Sequence, residues 1–161
     1  PTSTPRYSCG KVPGWAGFFA GRLLQPPGVP ALLDDLTAQD WMLALPLSAE
    51  RLQTRGFNQA WELASALARL SHTRARADAQ LLLRLRDTPA QSRLARQARL
   101  ANVQGAFQVD PLRTPALVGR RVVLVDDVMT SGASLFAAAQ ALRDAGAADI
   151  TGVVLGRTTY A

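Results

Sequence analysis

Two adjacent carboxylates, Asp126 and Asp127, end a run of apolar residues. After Val128 and Met129 comes a hydroxyl-rich turn, Thr130-Ser131-Gly132-Ala133-Ser134. Paired acids accept hydrogen bonds from vicinal hydroxyls. Hydroxyls and backbone N–H groups at a helix start, backed by the helix dipole, hold an anion. Gly132 lets the backbone approach a ligand closely. A phosphate at one end and a diol at the other describe a ribose 5-phosphate.

Other readings of an acid pair after a strand are weaker here. A receiver domain fails on position, because too few residues follow Asp127 to complete it. A Walker loop needs Gly-Lys-Ser/Thr, and the single lysine is Lys11. No G-x-G-x-x-G follows a strand, so the dinucleotide fingerprint is missing too.

A second segment, residues 46–58 (PLSAERLQTRGFN), carries Arg51 and Arg55. Guanidinium groups clamp phosphate through bidentate donors. Gly56 permits a tight turn that exposes backbone N–H groups. The alternative is a surface loop with two solvated arginines.

These groups need elements to position them. Trp41–Leu45 reads as a buried strand stopped by Pro46. Residues 58–70 have helical apolar spacing, with Asn58 as N-cap. Strands are expected at 79–85, 106–109, 121–125 and 150–155, and a helix at 134–145 ending at Gly146. The region 46–58 is expected as a strand-to-helix loop. Residues 15–24 suit a helix, after which Pro26, Pro27 and Pro30 are expected to break any helix. Residues 34–39 suit a further short helical turn. Trp15, Trp41 and Trp61 are expected in the core, and His72 on the surface. Strands alternating with helices predict an α/β fold with a mainly parallel twisted sheet flanked by helices. Ligands sit beyond the carboxyl ends of such strands.

The run VVLVDDVMTSGAS at 122–134 resembles the signature of type I phosphoribosyltransferases. Residues 46–59, then Arg86-Asp87-Thr88 and Gln91, then Arg99, Asn102 and Gly105-Ala106-Phe107, are similar to the ComF/GntX-type competence-associated members. The similarity runs over about residues 41–157. It implies a type I phosphoribosyltransferase-like domain at 41–161, preceded by a poorly read segment at 1–40 that could serve as a hood. It implies that Val128, Met129, Thr130, Ser131, Gly132, Ala133 and Ser134 hold the 5-phosphate. Asp126 and Asp127 would meet the ribose hydroxyls, and could touch Mg²⁺ through water. Arg51, Arg55, Gly56, Phe57 and Asn58 would form the pyrophosphate loop. Gln91, Arg99 and Asn102 would belong to a flexible loop over 87–104, and Arg99 is chosen among the arginines of residues 84–99. Asp126, Asp127, Arg55 and Arg99 are the expected catalytic set.

The implied activity is binding of 5-phosphoribosyl 1-pyrophosphate with Mg²⁺ and phosphoribosyl transfer to a nitrogenous acceptor. The alternative is a non-catalytic competence protein that senses phosphoribosyl pyrophosphate or binds single-stranded DNA. A homodimer is left open. Such proteins often carry a four-cysteine zinc module. With Cys9 as its one cysteine, no zinc is expected in this chain: the module is removed or lacking.

Composition agrees with one soluble domain. The chain has 161 residues, 48% hydrophobic and 19% charged. A domain of this size buries about 70% of its unfolded surface and needs no disulfide. A single cysteine excludes an internal disulfide, and a reducing, cytoplasmic setting is expected. There is no long apolar run, so no membrane span is expected. The net charge of +6 is arginine-dominated, which suits polyanionic partners or reflects a bias towards arginine over lysine.

Overall fold

The computed structural model describes residues 14–86 and 103–158. Its centre is a four-stranded parallel sheet in the order β2-β1-β5-β6. The strands are β1 (Trp41–Ala44), β2 (Arg76–Asp78), β5 (Arg121–Met129) and β6 (Asp149–Arg157). A separate antiparallel ribbon pairs β3 (Leu82–Arg84) with β4 (Phe107–Val109). The helices are α1 (Gly14–Leu23), α2 (Gly28–Asp34), α3 (Ala49–Arg55), α4 (Gln59–Ser71) and α5 (Ala133–Asp144).

Side chains alternate across a strand, so each central strand feeds two cores. Met42, Ala44, Val123 and Val125 face one layer, with Leu63 and Leu67 of α4 and Ala16 and Ala20 of α1. Trp41, Leu43, Val122 and Leu124 face the other, with Leu142 of α5 and Phe107 of β4. Both faces are covered, which explains the near-continuous apolar run in β5. Each fully buried Leu or Val contributes about 1.5–3 kcal/mol.

Local chemistry explains where expectation and structure part. Residues 46–58 are not a plain loop, because α3 lies within them. Ser48 caps α3 by accepting from the Arg51 N–H at 3.3 Å, and Gly56 ends it at φ 78°. The helix buries no residue, so it leaves no apolar stripe to read. Pro30 does not break a helix: it is the third residue of α2, in a first turn whose N–H groups lack intrahelical partners anyway. The region 34–39 holds the end of α2 and a turn instead of a new helix. Strand β2 was not expected, since Arg76-Ala77-Asp78 has no apolar pattern. It forms through parallel pairing with β1. The strand expected at 79–85 shortens to β3. Asp78 Oδ1 accepts from the N–H groups of Gln80 and Leu81, both at 2.7 Å, and turns the chain between β2 and β3.

Trp41 is buried as expected, with its indole N–H donating to the Ala116 carbonyl at 3.1 Å. Arg76 and Arg113 lie over its ring at 5.6 and 5.7 Å. Trp61 is partly buried against the α4 layer. Trp15 departs from expectation. It is 36% exposed, because α1 packs on α4 through its small residues, Ala16 and Ala20. His72 caps the end of α4.

Asp40 ties the amino-terminal edge of the sheet together. It is 5% exposed and accepts from Thr37 N–H, Thr37 Oγ1, Arg121 N–H and the Arg121 guanidinium at 2.8–3.1 Å. Burial pushes its carboxyl up, but the hydrogen bonds from Thr37 and Arg121 prevail and hold it below its ordinary value of 3.8. Its contribution to stability is therefore full above that value and is lost as the pH falls through the lowered folded-state value. Asp40→Ala should cost about 1.5–3 kcal/mol, because it removes a buried, charged acceptor from its hydrogen bonds with Thr37 and Arg121. Urea unfolding at pH 7 and pH 3 checks this: the deficit should be clear at pH 7 and shrink at pH 3.

Candidate functional site

Strand lengths create the site. β1 pairs with β5 from Trp41–Val122 to Ala44–Val125, and the Leu45 N–H donates to the Val125 carbonyl at 2.8 Å. Pro46 has no N–H and the chain turns away there. On its other side β5 stays paired with β6 as far as Met129–Arg157. Among the described residues, Asp126 to Met129 thus have a neighbouring strand on one side only. The other side opens into a cleft of about 190 Å³.

The expected strand at 121–125 is therefore longer, and both acids lie within it. Asp126 and Asp127 line the cleft with Val128, Met129, Thr130, Ser131, Gly132, Ala133 and Ser134. Gly132 adopts φ 77° before α5. A Cβ there would come within 3.3 Å of Met129 Sδ and of the Phe136 ring, so the turn favours glycine on two counts. Ser131 Oγ accepts from the Ala133 N–H at 3.3 Å. The start of α5, the helix's positive end, stands in the cleft wall.

The opposite wall comes from Leu45-Pro46-Leu47 and from Arg51, Arg55, Asn58 and Gln59. Arg55 donates from Nη1 to Gln59 Oε1 at 3.1 Å. Asn58 is 7% exposed and is committed to structure: its Oδ1 accepts from the Ala60 and Trp61 N–H groups, and its Nδ2 donates to the Leu45 carbonyl at 3.1 Å. It fixes the start of α4 against the end of β1. Gly56 and Phe57 stand outside the cleft lining; Phe57 is exposed. Gln91, Arg99 and Asn102 lie outside the described residues, as does Cys9. None of the described residues of 14–40 lines the cleft.

Arg84 is the cleft residue that sequence reasoning passed over in favour of Arg99. It ends β3, lies over the Phe107 ring at 5.3 Å and donates from Nε to the Arg86 carbonyl at 3.3 Å. It reaches the cleft because the β3–β4 ribbon runs beside the carboxyl edge of the sheet. Three arginines thus surround two carboxylates.

Burial pushes the Asp126 carboxyl up to about 7, helped by its hydrogen bond to Asp127 and by that neighbour's charge. The Asp127 N–H, donating to Asp126 Oδ1 at 2.9 Å, and the Arg84 charge pull the other way without prevailing.

The carboxyl edge of a parallel α/β sheet thus holds an acid pair, a glycine-hydroxyl turn and facing arginines. Residues 54–158 match the phosphoribosyl transferase domain, and the chain belongs to that family. It is 36% identical over 124 residues to the DNA utilization protein YhgH of Escherichia coli O6:H1, covering 76% of this chain and 52% of that protein. It is 35% identical over 118 residues to the competence protein ComFC of Bacillus subtilis, covering 73% of this chain and 44% of that one. These relatives agree with the ComF-type resemblance of its motifs. The chain spans about half the length of the curated relatives it matches. The crystal structure of TT1426 from Thermus thermophilus is a looser likeness, with a TM-score of 0.45 and 18% identity over 91% of this chain and 84% of that one.

A carboxyl raised on folding favours the native state below its unfolded value of 3.8, and that advantage is lost as the pH rises through about 7. Asp126→Asn should remove this dependence and raise Tm by several degrees at pH 8. Each kcal/mol moves the midpoint of a domain this size by about 2–4 °C. Thermal melts at pH 5 and pH 8 check it: the gap between variant and wild type should be small at pH 5 and widen at pH 8.

Proposed function

We propose that the cleft binds 5-phosphoribosyl 1-pyrophosphate and that the protein transfers its phosphoribosyl group to a nitrogenous acceptor. One observation carries this reading. The anion-holding turn at 130–134, the acid pair and the arginines of α3 and β3 line a single cleft at the carboxyl edge of the sheet. The 5-phosphate sits on Thr130–Ser134, the ribose hydroxyls on Asp126 and Asp127, and the pyrophosphate against Arg51, Arg55 and Arg84.

The acid pair fits a hydrated Mg²⁺. Asp126 is destabilised as an anion by its surroundings, and a nearby cation relieves that. No group of three or more His, Cys, Asp or Glu lies together among the described residues, and Asp126 and Asp127 would hold the ion through water, with substrate oxygens supplying the rest. When bound, Mg²⁺ supplies charge neutralisation on the leaving pyrophosphate.

In the transfer, the acceptor nitrogen forms a bond to C1 of the ribose. The C1–O bond to pyrophosphate breaks, its electron pair leaves with pyrophosphate, and the acceptor loses its proton to water. Positive charge grows on the ribose ring in the transition state, where the carboxylates oppose it favourably. The arginines take up the leaving charge. The names of the relatives support a part in competence or DNA utilization. No described helix is long and apolar enough to cross a membrane.

Phosphoribosyl pyrophosphate with Mg²⁺ should raise Tm, by roughly 5–10 °C at a hundredfold excess over Kd. No shift in folded protein overturns the reading. Pyrophosphate release across a panel of purines, pyrimidines and amines identifies the acceptor. Arg55→Ala should keep ribose 5-phosphate binding and weaken phosphoribosyl pyrophosphate binding about tenfold to a hundredfold, as expected for one charge-assisted bond. Calorimetric titration of both ligands reads this. Equal losses for the two would make Arg55 a general surface charge.

A further inference from the structure

One edge of the sheet is unlike ordinary edges. β6 is the outer strand, nine residues long, and among the described residues no strand pairs with its free side. Edge strands are usually short, or carry charges or proline that discourage pairing. Between Asp149 and Arg157, β6 reads Ile-Thr-Gly-Val-Val-Leu-Gly, without a single charge. A mainly apolar groove of about 660 Å³ runs along this strand, walled by Phe19, Arg22 and Leu23 of α1, by Val29 of α2 and by Val153, Val154 and Leu155. Beside it α1 is inverted: its small residues Ala16 and Ala20 are buried, while Trp15, Phe18 and Phe19 are 36%, 64% and 37% exposed. Phe18 and Phe19 meet edge to face at 5.4 Å.

We propose that a second copy of this chain occupies this edge, β6 pairing antiparallel with the partner's β6 about a two-fold axis normal to the sheet. The strand is self-complementary in that arrangement. With Val153 opposite the partner's Val153, Asp149 faces the partner's Arg157 and Arg157 faces the partner's Asp149. Both end residues are exposed, and neither makes an ion pair among the described residues. Residues directly opposite share a face of the sheet. Thr151 therefore meets the partner's Leu155 on the α1 face. On the other face Ile150 meets the partner's Gly156, and Gly152 meets the partner's Val154, large against small. A two-fold axis normal to the sheet keeps both α1 helices on one side, where their exposed aromatic residues cover each other. The contact is isologous and closed, so it yields a dimer with one continuous eight-stranded sheet rather than a fibre.

Charge reversal tests it in the whole chain. Sedimentation velocity from 1 to about 100 µM at low salt should show a species of twice 17.2 kDa. Asp149→Arg or Arg157→Asp alone sets like charges against each other twice per dimer, and each should weaken association at least about tenfold. The double variant Asp149→Arg/Arg157→Asp restores opposite charges in every pair and should recover the dimer. Both residues are exposed, so circular dichroism should stay as in wild type, and so should thermal melting at a concentration where wild type is monomeric, which separates lost pairing from lost folding. A monomer throughout overturns the proposal and assigns the groove to another occupant. A dimer indifferent to the single reversals, or a double variant no better than the singles, also overturns it.

Discussion

The unequal length of two neighbouring strands is the constraint on which this molecule turns. β1 stops at Ala44, and Pro46 cannot extend its ladder, while β5 runs on to Met129 under the support of β6. Four residues of β5 therefore keep strand geometry with a strand on one flank only among the described residues. Had β1 continued, a strand would fill the cleft. Had β5 stopped with it, Asp126 and Asp127 would sit on a mobile turn instead of a paired strand. Asn58 secures the boundary from the other side by bonding the Leu45 carbonyl and capping α4. One buried amide thus joins the end of a strand to the start of a helix at the cleft wall.

Electrostatics follow from that geometry. A carboxylate at the end of a buried strand loses water, and a second carboxylate beside it adds repulsion, so Asp126 resists ionisation. Arg51, Arg55 and Arg84 face the pair across the cleft and favour anions there. The acids suit hydroxyls and a cation, and the arginines and the α5 start suit phosphates. Asp126, Asp127 and the α5 start share one wall of the cleft, and Arg51 and Arg55 stand on the opposite one.

The distal edge shows a different balance. The sheet buries both faces of β1 and β5, but among the described residues β6 has one flank left over, and α1 turns its aromatic residues outward beside it. Gly152 stands close under Leu135, where a Cβ would approach to 2.9 Å, so β6 is held tightly against α5 on the inner side while its outer flank stays open. Packing quality and exposure thus coexist on one strand.

The acid pair, the glycine-hydroxyl turn, the arginine pair and the alternation of strands and helices were legible in the residue order alone. Their signals are local: apolar runs, N-caps such as Asn58, and a turn that needs Gly132. Boundaries set by partners were not. β2 has no apolar pattern and exists because β1 offers it a ladder. The extension of β5 through two acids depends on β6, whose partner residues lie 28 positions further along the chain. α3 buries nothing and therefore left no periodic trace. Arg84 looked like one arginine among several, and only the folding of the β3–β4 ribbon beside the sheet edge sets it in the cleft. The exposure of Trp15 likewise follows from which face of α1 could come closest to α4, and small residues won because they allow the helices to approach. Residue type determined what chemistry was available. Long-range pairing decided which of those residues meet, because hydrogen-bond partners and packing distances belong to neighbours in space.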